Sequence, residues 1–294
     1  MDKKKLIGAF FLGVFLSSCN LHSPSGYNLS QPKFSYVLPK QLHEISGLTD
    51  IDSAKFACIQ DENGIVFIYD ALKNKLSEQY SFNIDGDYEG ITYVDGLIYI
   101  LRSDGTLFEI TNYDSKEMSI VSYPTNIPAK DNEGLCYDPI NHRLLIACKS
   151  KIHKEARVNN EKHGIYSFDL VEKKLNTTPA FSFDVNKIEA FAIEQNIPAP
   201  TRSKKGRVFE PKFKFRPSAI AVQPYTKELF LLSASEHLLY IFNMDGTLRH
   251  IEILNPTIFN KAEGITFFEN GDLLISNEGQ DSRPTLLGFP YIKK

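Results

Sequence analysis

The 294-residue chain has no tryptophan, three methionines and only four cysteines. So few cysteines exclude a disulfide scaffold at this length. It also lacks an excess of charge of either sign: 33 basic against 36 acidic side chains leave a formal charge of −3. That balance gives no electrostatic footprint for nucleic acid, which is not an expected partner. Apart from one N-terminal stretch there is no long apolar run, so nothing else is expected to cross a bilayer as a helix. What is abundant is Tyr (14) and Phe (21), residues that favour strands. Hydrophobics at 42% and charged residues at 23% are ordinary for a globular chain.

The N-terminus reads as a targeting segment. Lys3, Lys4 and Lys5 precede an apolar run from Leu6 to Leu16, and Ser17-Ser18-Cys19 follows. A basic start, a short apolar core and small residues before a cleavage point make a secretory signal, too short to span a membrane. The plain alternative is a generic signal cut near Ser18. Leu16-Ser17-Ser18-Cys19, however, resembles the bacterial lipobox, whose cysteine is diacylated and becomes the new N-terminus. Residues 1–18 are thus expected to be removed, leaving lipidated Cys19 as a membrane anchor. Residues 19–32, polar and punctuated by Pro24, Gly26 and Pro32, are expected to form a flexible tether. By resemblance to known sorting rules, Asn20 points to the outer membrane. No acidic run follows Cys19, which favours the periplasmic side over the cell surface.

Internal repeats decide the fold. A Glu or Ser, a small residue and an apolar strand start recur in Glu44-Ile45-Ser46-Gly47-Leu48, Glu89-Gly90-Ile91, Glu133-Gly134-Leu135, Ser218-Ala219-Ile220 and Glu263-Gly264-Ile265. The spacings are 45, 44, 85 and 45 residues, the period of four-stranded propeller blades. Second strands are expected at Lys55–Ile59, Leu97–Leu101, Leu144–Cys148, Leu229–Leu232 and Leu273–Ser276, and third strands follow each. Asp95-Gly96, Asp104-Gly105, Asp245-Gly246 and Asn270-Gly271 are hairpin dipeptides between them. The last repeat ends without a fourth strand, and Phe34–Leu38 is the expected replacement, closing the ring. The chain from residue 33 to 294 is therefore read as a single all-β propeller of five blades. The 85-residue gap leaves six blades as the alternative. We assign its excess to an insertion at about residues 185–216, with a short helix at Ile188–Ile193 and a basic, proline-broken loop around Arg202, Lys204, Lys205 and Arg207.

The phrases Glu44–Leu48, Asp87–Tyr93, Asp131–Tyr137, Arg216–Ile220 and Ala262–Ile265, with Ile275-Ser276-Asn277-Glu278-Gly279, resemble the SdiA-regulated domain family. The resemblance runs from about Phe34 to Pro290. It implies a β-propeller of the bacterial envelope, commonly a lipoprotein, and implies no particular reaction.

Antiparallel pairing puts each phrase at the same face as the end of the second strand. That face is expected to collect Glu44, Glu89, Glu133 and Glu263, with Asp87 and Asp131 two residues ahead and Asp61 and Glu278 from strand ends. Arg102 and Lys149 are the expected charge partners. Structurally, such glutamates would fasten neighbouring blades through backbone N–H groups. Functionally, converging carboxylates suit a hard cation of the calcium type, which like charges need in order to coexist. Both roles stay open, and no other cofactor is expected. Asp61-Glu62-Asn63-Gly64 lacks the alternating acids of a calcium loop and reads as a turn. His43 beside the first phrase reads as a surface residue. Cys136 and Cys148 flank one hairpin, but its turn pairs Cys136 with Leu145, so no disulfide is expected. There is no Gly-x-Ser-x-Gly, no His-Glu-x-x-His and no paired Cys-x-x-Cys. The expectation is a monomeric, lipid-anchored binding module for an envelope protein, glycan or small ligand. The alternative is a metal-dependent lactone or ester hydrolase.

Overall fold

The computed structural model describes residues 23–150, 162–204 and 207–293. Cys19 and the expected signal segment lie outside them. The described chain is 46% strand and 6% helix, and five of its antiparallel sheets form a five-bladed β-propeller. Blade 1 runs through Ile45–Asp50, Lys55–Gln60, Ile65–Asp70 and Lys75–Ser81. Blade 2 comprises Tyr88–Val94, Leu97–Arg102, Thr106–Thr111 and Ser119–Pro124. Blade 3 has Asn132–Asp138, Arg143–Cys148 and Lys162–Asp169, with an outer edge shared by Lys174–Leu175 and Phe181–Asp184. Blade 4 is Ala219–Val222, Leu229–Ser233, Leu238–Phe242 and Leu248–Ile253. Blade 5 takes Ala262–Phe267, Leu273–Asn277 and Thr285–Phe289 from the C-terminus, and its outer strand is Phe34–Val37. Phe34 pairs with Gly288 and Val37 with Thr285, so the ring closes as expected and two sheet edges disappear.

The 85-residue gap adds no blade. After blade 3 it holds helix α1 (Val185–Glu194), capped by the Asp184 carboxylate on the Asn186 N–H, and a hairpin of Arg202–Lys204 with Arg207–Phe209. Lys212 to Arg216, in neither helix nor strand, then leads into blade 4. Cys136 pairs with Leu145, and Cys58, Cys136 and Cys148 are free and buried. Asp95 and Gly96 both take positive φ (49° and 86°), the two-residue turn that this dipeptide encodes.

Five apolar clusters hold the ring, one at each blade junction. The inner strands meet so closely that a Cβ on Gly90 would lie 2.7 Å from Leu135 Cβ and 2.9 Å from its backbone nitrogen. Leu48, Ile91, Leu135, Ile220 and Ile265 fill the axis, leaving a throat of about 10 Å³. The two mouths are therefore separate. We call them the entry mouth, where inner strands begin, and the hairpin mouth, where they turn into the second strands.

The segment 23–32 is not the free tether its composition suggests. Tyr27 is fully buried and Leu29 nearly so, both in the cluster between blades 4 and 5. The Tyr27 hydroxyl donates to Gly271 O at 2.7 Å and accepts from Gln223 Nε2 at 3.2 Å. Its ring packs on Phe230, Phe267 and Tyr291. Gln223 and Gly271 sit in inner hairpin turns, so this segment clasps the hairpin mouth.

Candidate functional site

The entry mouth is built by one device used four times. The ladder between the first two strands slips at Ser46, Glu89, Glu133 and Glu263, each left as the extra residue of a bulge before Gly47, Gly90, Gly134 and Gly264. Two residues ahead of each bulge, a carbonyl accepts the first N–H beyond strand two. The pairs are Asp61 to Glu44 (3.2 Å), Ser103 to Asp87 (2.8 Å), Lys149 to Asp131 (2.8 Å) and Glu278 to Lys261 (2.9 Å). The phrases and strand-two ends therefore share one face, as expected from the pairing.

This register corrects the equivalence drawn from the phrases. Glu44 does not correspond to Glu89, Glu133 and Glu263; Ser46 does, and Glu44 stands with Asp87 and Asp131. Two hydroxyls of the phrases tie blades together: Ser46 Oγ, at the blade-1 bulge, donates to Tyr88 O at 2.7 Å, and Ser218 Oγ, just ahead of the unbulged blade 4, to Ala262 O at 2.9 Å. Two of the three glutamates instead pair with lysines. Lys149 Nζ lies 2.7 Å from Glu133 Oε1, and Lys261 contacts Glu278 Oε2 and lies 3.4 Å from Glu263 Oε1. Arg102 takes no part: it holds Asp104 at 2.7 Å and stacks over Phe108, turned from the axis. Lys149 is the partner expected, and Lys261 is one the sequence reading missed.

Charges at this mouth are unequally resolved. Burial pushes Glu89 up to about 9, reinforced by Glu133, Asp87 and Glu263, so Glu89 keeps its proton at neutral pH and can donate to Asp87. Burial raises Glu263 to about 7 against the pull of Lys261. It also raises buried Glu133, with Lys149 opposing. Desolvation works against Lys149 and Lys261, yet their carboxylate partners outweigh it and both stay charged above the usual lysine value. Two ammonium groups and the proton on Glu89 thus relieve the crowding of like charges in the central ring.

The junction of blades 1 and 5 is different. Glu44, Asp61 and Glu278 each bring a carboxylate oxygen within 4.8 Å of the others. Asp61 Oδ1 is buried with no hydrogen-bond partner. Burial, then Glu44 and Glu278, lift Asp61 to about 6. Three hard oxygen donors, one uncommitted, fit a cation of the calcium type, with the Lys261 contact confined to one Glu278 oxygen. Asp87 and Asp131 are exposed on the rim.

Basic side chains gather across the same face. Positions two ahead of the bulge read Glu44, Asp87 and Asp131 in blades 1 to 3 and Lys261 in blade 5; blade 4 pairs without a bulge, and Arg216 stands two residues ahead of Ser218 in its phrase. A pocket of about 520 Å³ is lined by Asp131, Lys149, His163, Lys212, Lys214 and Arg216, with Phe213 and Phe215 behind. A second cavity of about 350 Å³ shares Lys149 and Arg216 and reaches Lys261 and Glu263. Sequence reasoning missed Lys212, Lys214 and Arg216. Their signal was the alternation Lys212-Phe213-Lys214-Phe215-Arg216, period two, just ahead of a blade.

No protein-family model and no curated protein matches the chain. Among solved structures it is similar to the glutaminyl cyclase of Myxococcus xanthus, with a TM-score of 0.55 and 11% identity over 88% of this chain and 94% of that one. It also aligns with virginiamycin B lyase of Staphylococcus aureus, at a TM-score of 0.44 and 16% identity over 82% of this chain and 66% of that one. At such identities the likeness is one of fold alone. Among the described residues no helix is long and apolar enough to cross a membrane.

Proposed function

We propose that this chain is an envelope-tethered β-propeller of the SdiA-regulated type that acts as a binding module through its entry mouth, with a calcium-type cation at Glu44, Asp61 and Glu278. The observation that carries the reading is asymmetry. A device that only fastened blades would repeat alike around the ring, whereas here it is missing from blade 4 and its leading position changes sign from Glu44, Asp87 and Asp131 to Lys261. Bound there, the cation would neutralise the three carboxylates and leave the basic side for an envelope protein, glycan or small ligand.

The anchor sets the direction of that mouth. Ser23, the first described residue, enters at the hairpin mouth beside Pro24, whose carbonyl accepts from Arg249 Nη2 at 3.0 Å. Cys19 is four residues upstream, a reach of at most about 14 Å. A lipid on Cys19 therefore turns the hairpin mouth to the bilayer and the entry mouth away from it, in our reading toward the periplasm from the outer membrane. Cys19→Ala is expected to move the chain from the membrane to the soluble fraction on cell fractionation. Retention at the membrane would remove the tether from this account.

One observation favours the hydrolase alternative: Asp61, lifted to about 6 and with a buried free oxygen, has the poise of a general base. Under the binding reading the chain turns over neither p-nitrophenyl acetate nor an acyl lactone in 1 mM calcium. Turnover that disappears in Asp61→Asn would replace binding by catalysis.

A further inference from the structure

We propose that the 520 Å³ pocket between blades 3 and 4 is a binding site for a small hydroxylated organic anion whose head is a phosphate or a carboxylate. This names a ligand class for the entry mouth and rests on the binding-module reading for its role, though not on the cation or the anchor. The volume lies within the range of small-molecule sites, well above that of a bare ion.

The chemistry follows from how the wall is made. Phe213 and Phe215 are buried, and Phe215 packs on Phe183, Tyr240 and Phe242 with centroids 4.9, 5.4 and 6.1 Å away. Burial alternates along this stretch, with Lys212, Lys214 and Arg216 more exposed than the two phenyl rings, and all five residues line the pocket. Arg216 and Lys212 are exposed and form no ion pair among the described residues. Lys149 lines both this pocket and the neighbouring cavity, its ammonium 2.7 Å from Glu133 Oε1. A planar guanidinium with lysine ammonium groups around one cavity is the arrangement that holds an oxyanion by charge-assisted hydrogen bonds. Asp131, the one carboxylate among the described lining residues, repels the anionic head and suits a hydroxyl, which places the polyol part of the ligand on the blade-3 side.

The test is calorimetric titration of the full chain in detergent, at 50 mM salt, with glucose 6-phosphate, gluconate and inorganic phosphate. The expected result is that one of the two organic anions binds at least tenfold tighter than inorganic phosphate, and which one identifies the head. Arg216→Ala should weaken it by about tenfold and Lys212→Ala by about fivefold, the scale of one charge-assisted bond. Raising salt to 300 mM should weaken it further. Lys116→Ala, an exposed lysine outside the pocket, should change nothing. No binding of either organic anion, equal binding of all three probes, or affinity indifferent to Arg216→Ala would overturn the assignment. Such a failure alongside intact calcium binding leaves the entry-mouth reading standing. Arg216-dependent anion binding without calcium binding would sink the cation instead.

Discussion

Tyr27→Ala is expected to lower the melting temperature by roughly 10 °C. Large aromatic-to-alanine changes in a packed core cost about 4 kcal/mol, and each kcal/mol is worth about 2–3 °C in a domain of this size. Tyr27 merits the full cost because it is fully buried, touches three aromatic rings and occupies both a donor and an acceptor. Its removal leaves Gln223 Nε2, itself fully buried, without its hydroxyl partner. Tyr27→Phe isolates the polar part and should cost about 1–2 kcal/mol. A thermal melt in which Tyr27→Ala behaves like wild type would mean that residues 23–32 are a loose tether after all. The orientation of the entry mouth relative to the membrane would then have no basis.

Glu89 and Glu133, at equivalent positions of successive blades, should respond to Gln in opposite directions. Glu89 binds its proton more tightly folded than unfolded, since burial raises it to about 9 from the ordinary carboxylate value. Between those values the unfolded chain releases the proton and the folded chain keeps it, so stability falls as pH rises. The penalty is absent below about pH 4.5 and reaches the order of 3 kcal/mol at pH 7. Glutamine preserves the size and the donor toward Asp87 without that penalty. Glu89→Gln should therefore melt higher than wild type at pH 8, melt nearly with it at pH 5, and show a flatter pH profile. Glu133→Gln instead strips Lys149 of its partner and should melt lower at both pH values, by about 1.5 kcal/mol given that Lys149 is partly exposed. If both variants lost stability equally, the glutamates would be interchangeable blade fasteners.

The propeller was legible because its signals are local. The Asp-Gly and Asn-Gly turns and the alternating strands each name an element without reference to the rest of the chain, and the 45-residue period then counts the blades. Closure by Phe34–Val37 followed from counting strands. Two things escaped. Residues 23–32 have the composition of a linker, and composition hides the fact that one aromatic, Tyr27, finds a slot some 240 residues away in sequence. The phrase containing Glu44 looked equivalent to its fellows, yet a β-bulge sets the register, and a bulge is a property of the paired strand, invisible in one strand read alone. The acidic residues of the entry mouth were legible for the same reason as the blades. The basic ones were not, because Arg216 and Lys261 depart from the phrase that drew attention to the face.

The most direct test of the account is calorimetric titration of calcium into the full chain at pH 7.5, beside Asp61→Asn. The account predicts one ion per chain, a melting temperature that rises with calcium, and binding weakened at least tenfold in Asp61→Asn; saturation at a hundred times the Kd corresponds to about 2.7 kcal/mol of stabilisation. Lowering the pH below 6 should weaken the wild type, because Asp61 then takes up a proton that competes with the ion. No heat and no thermal shift, or binding indifferent to Asp61→Asn, would contradict a cation site at Glu44, Asp61 and Glu278.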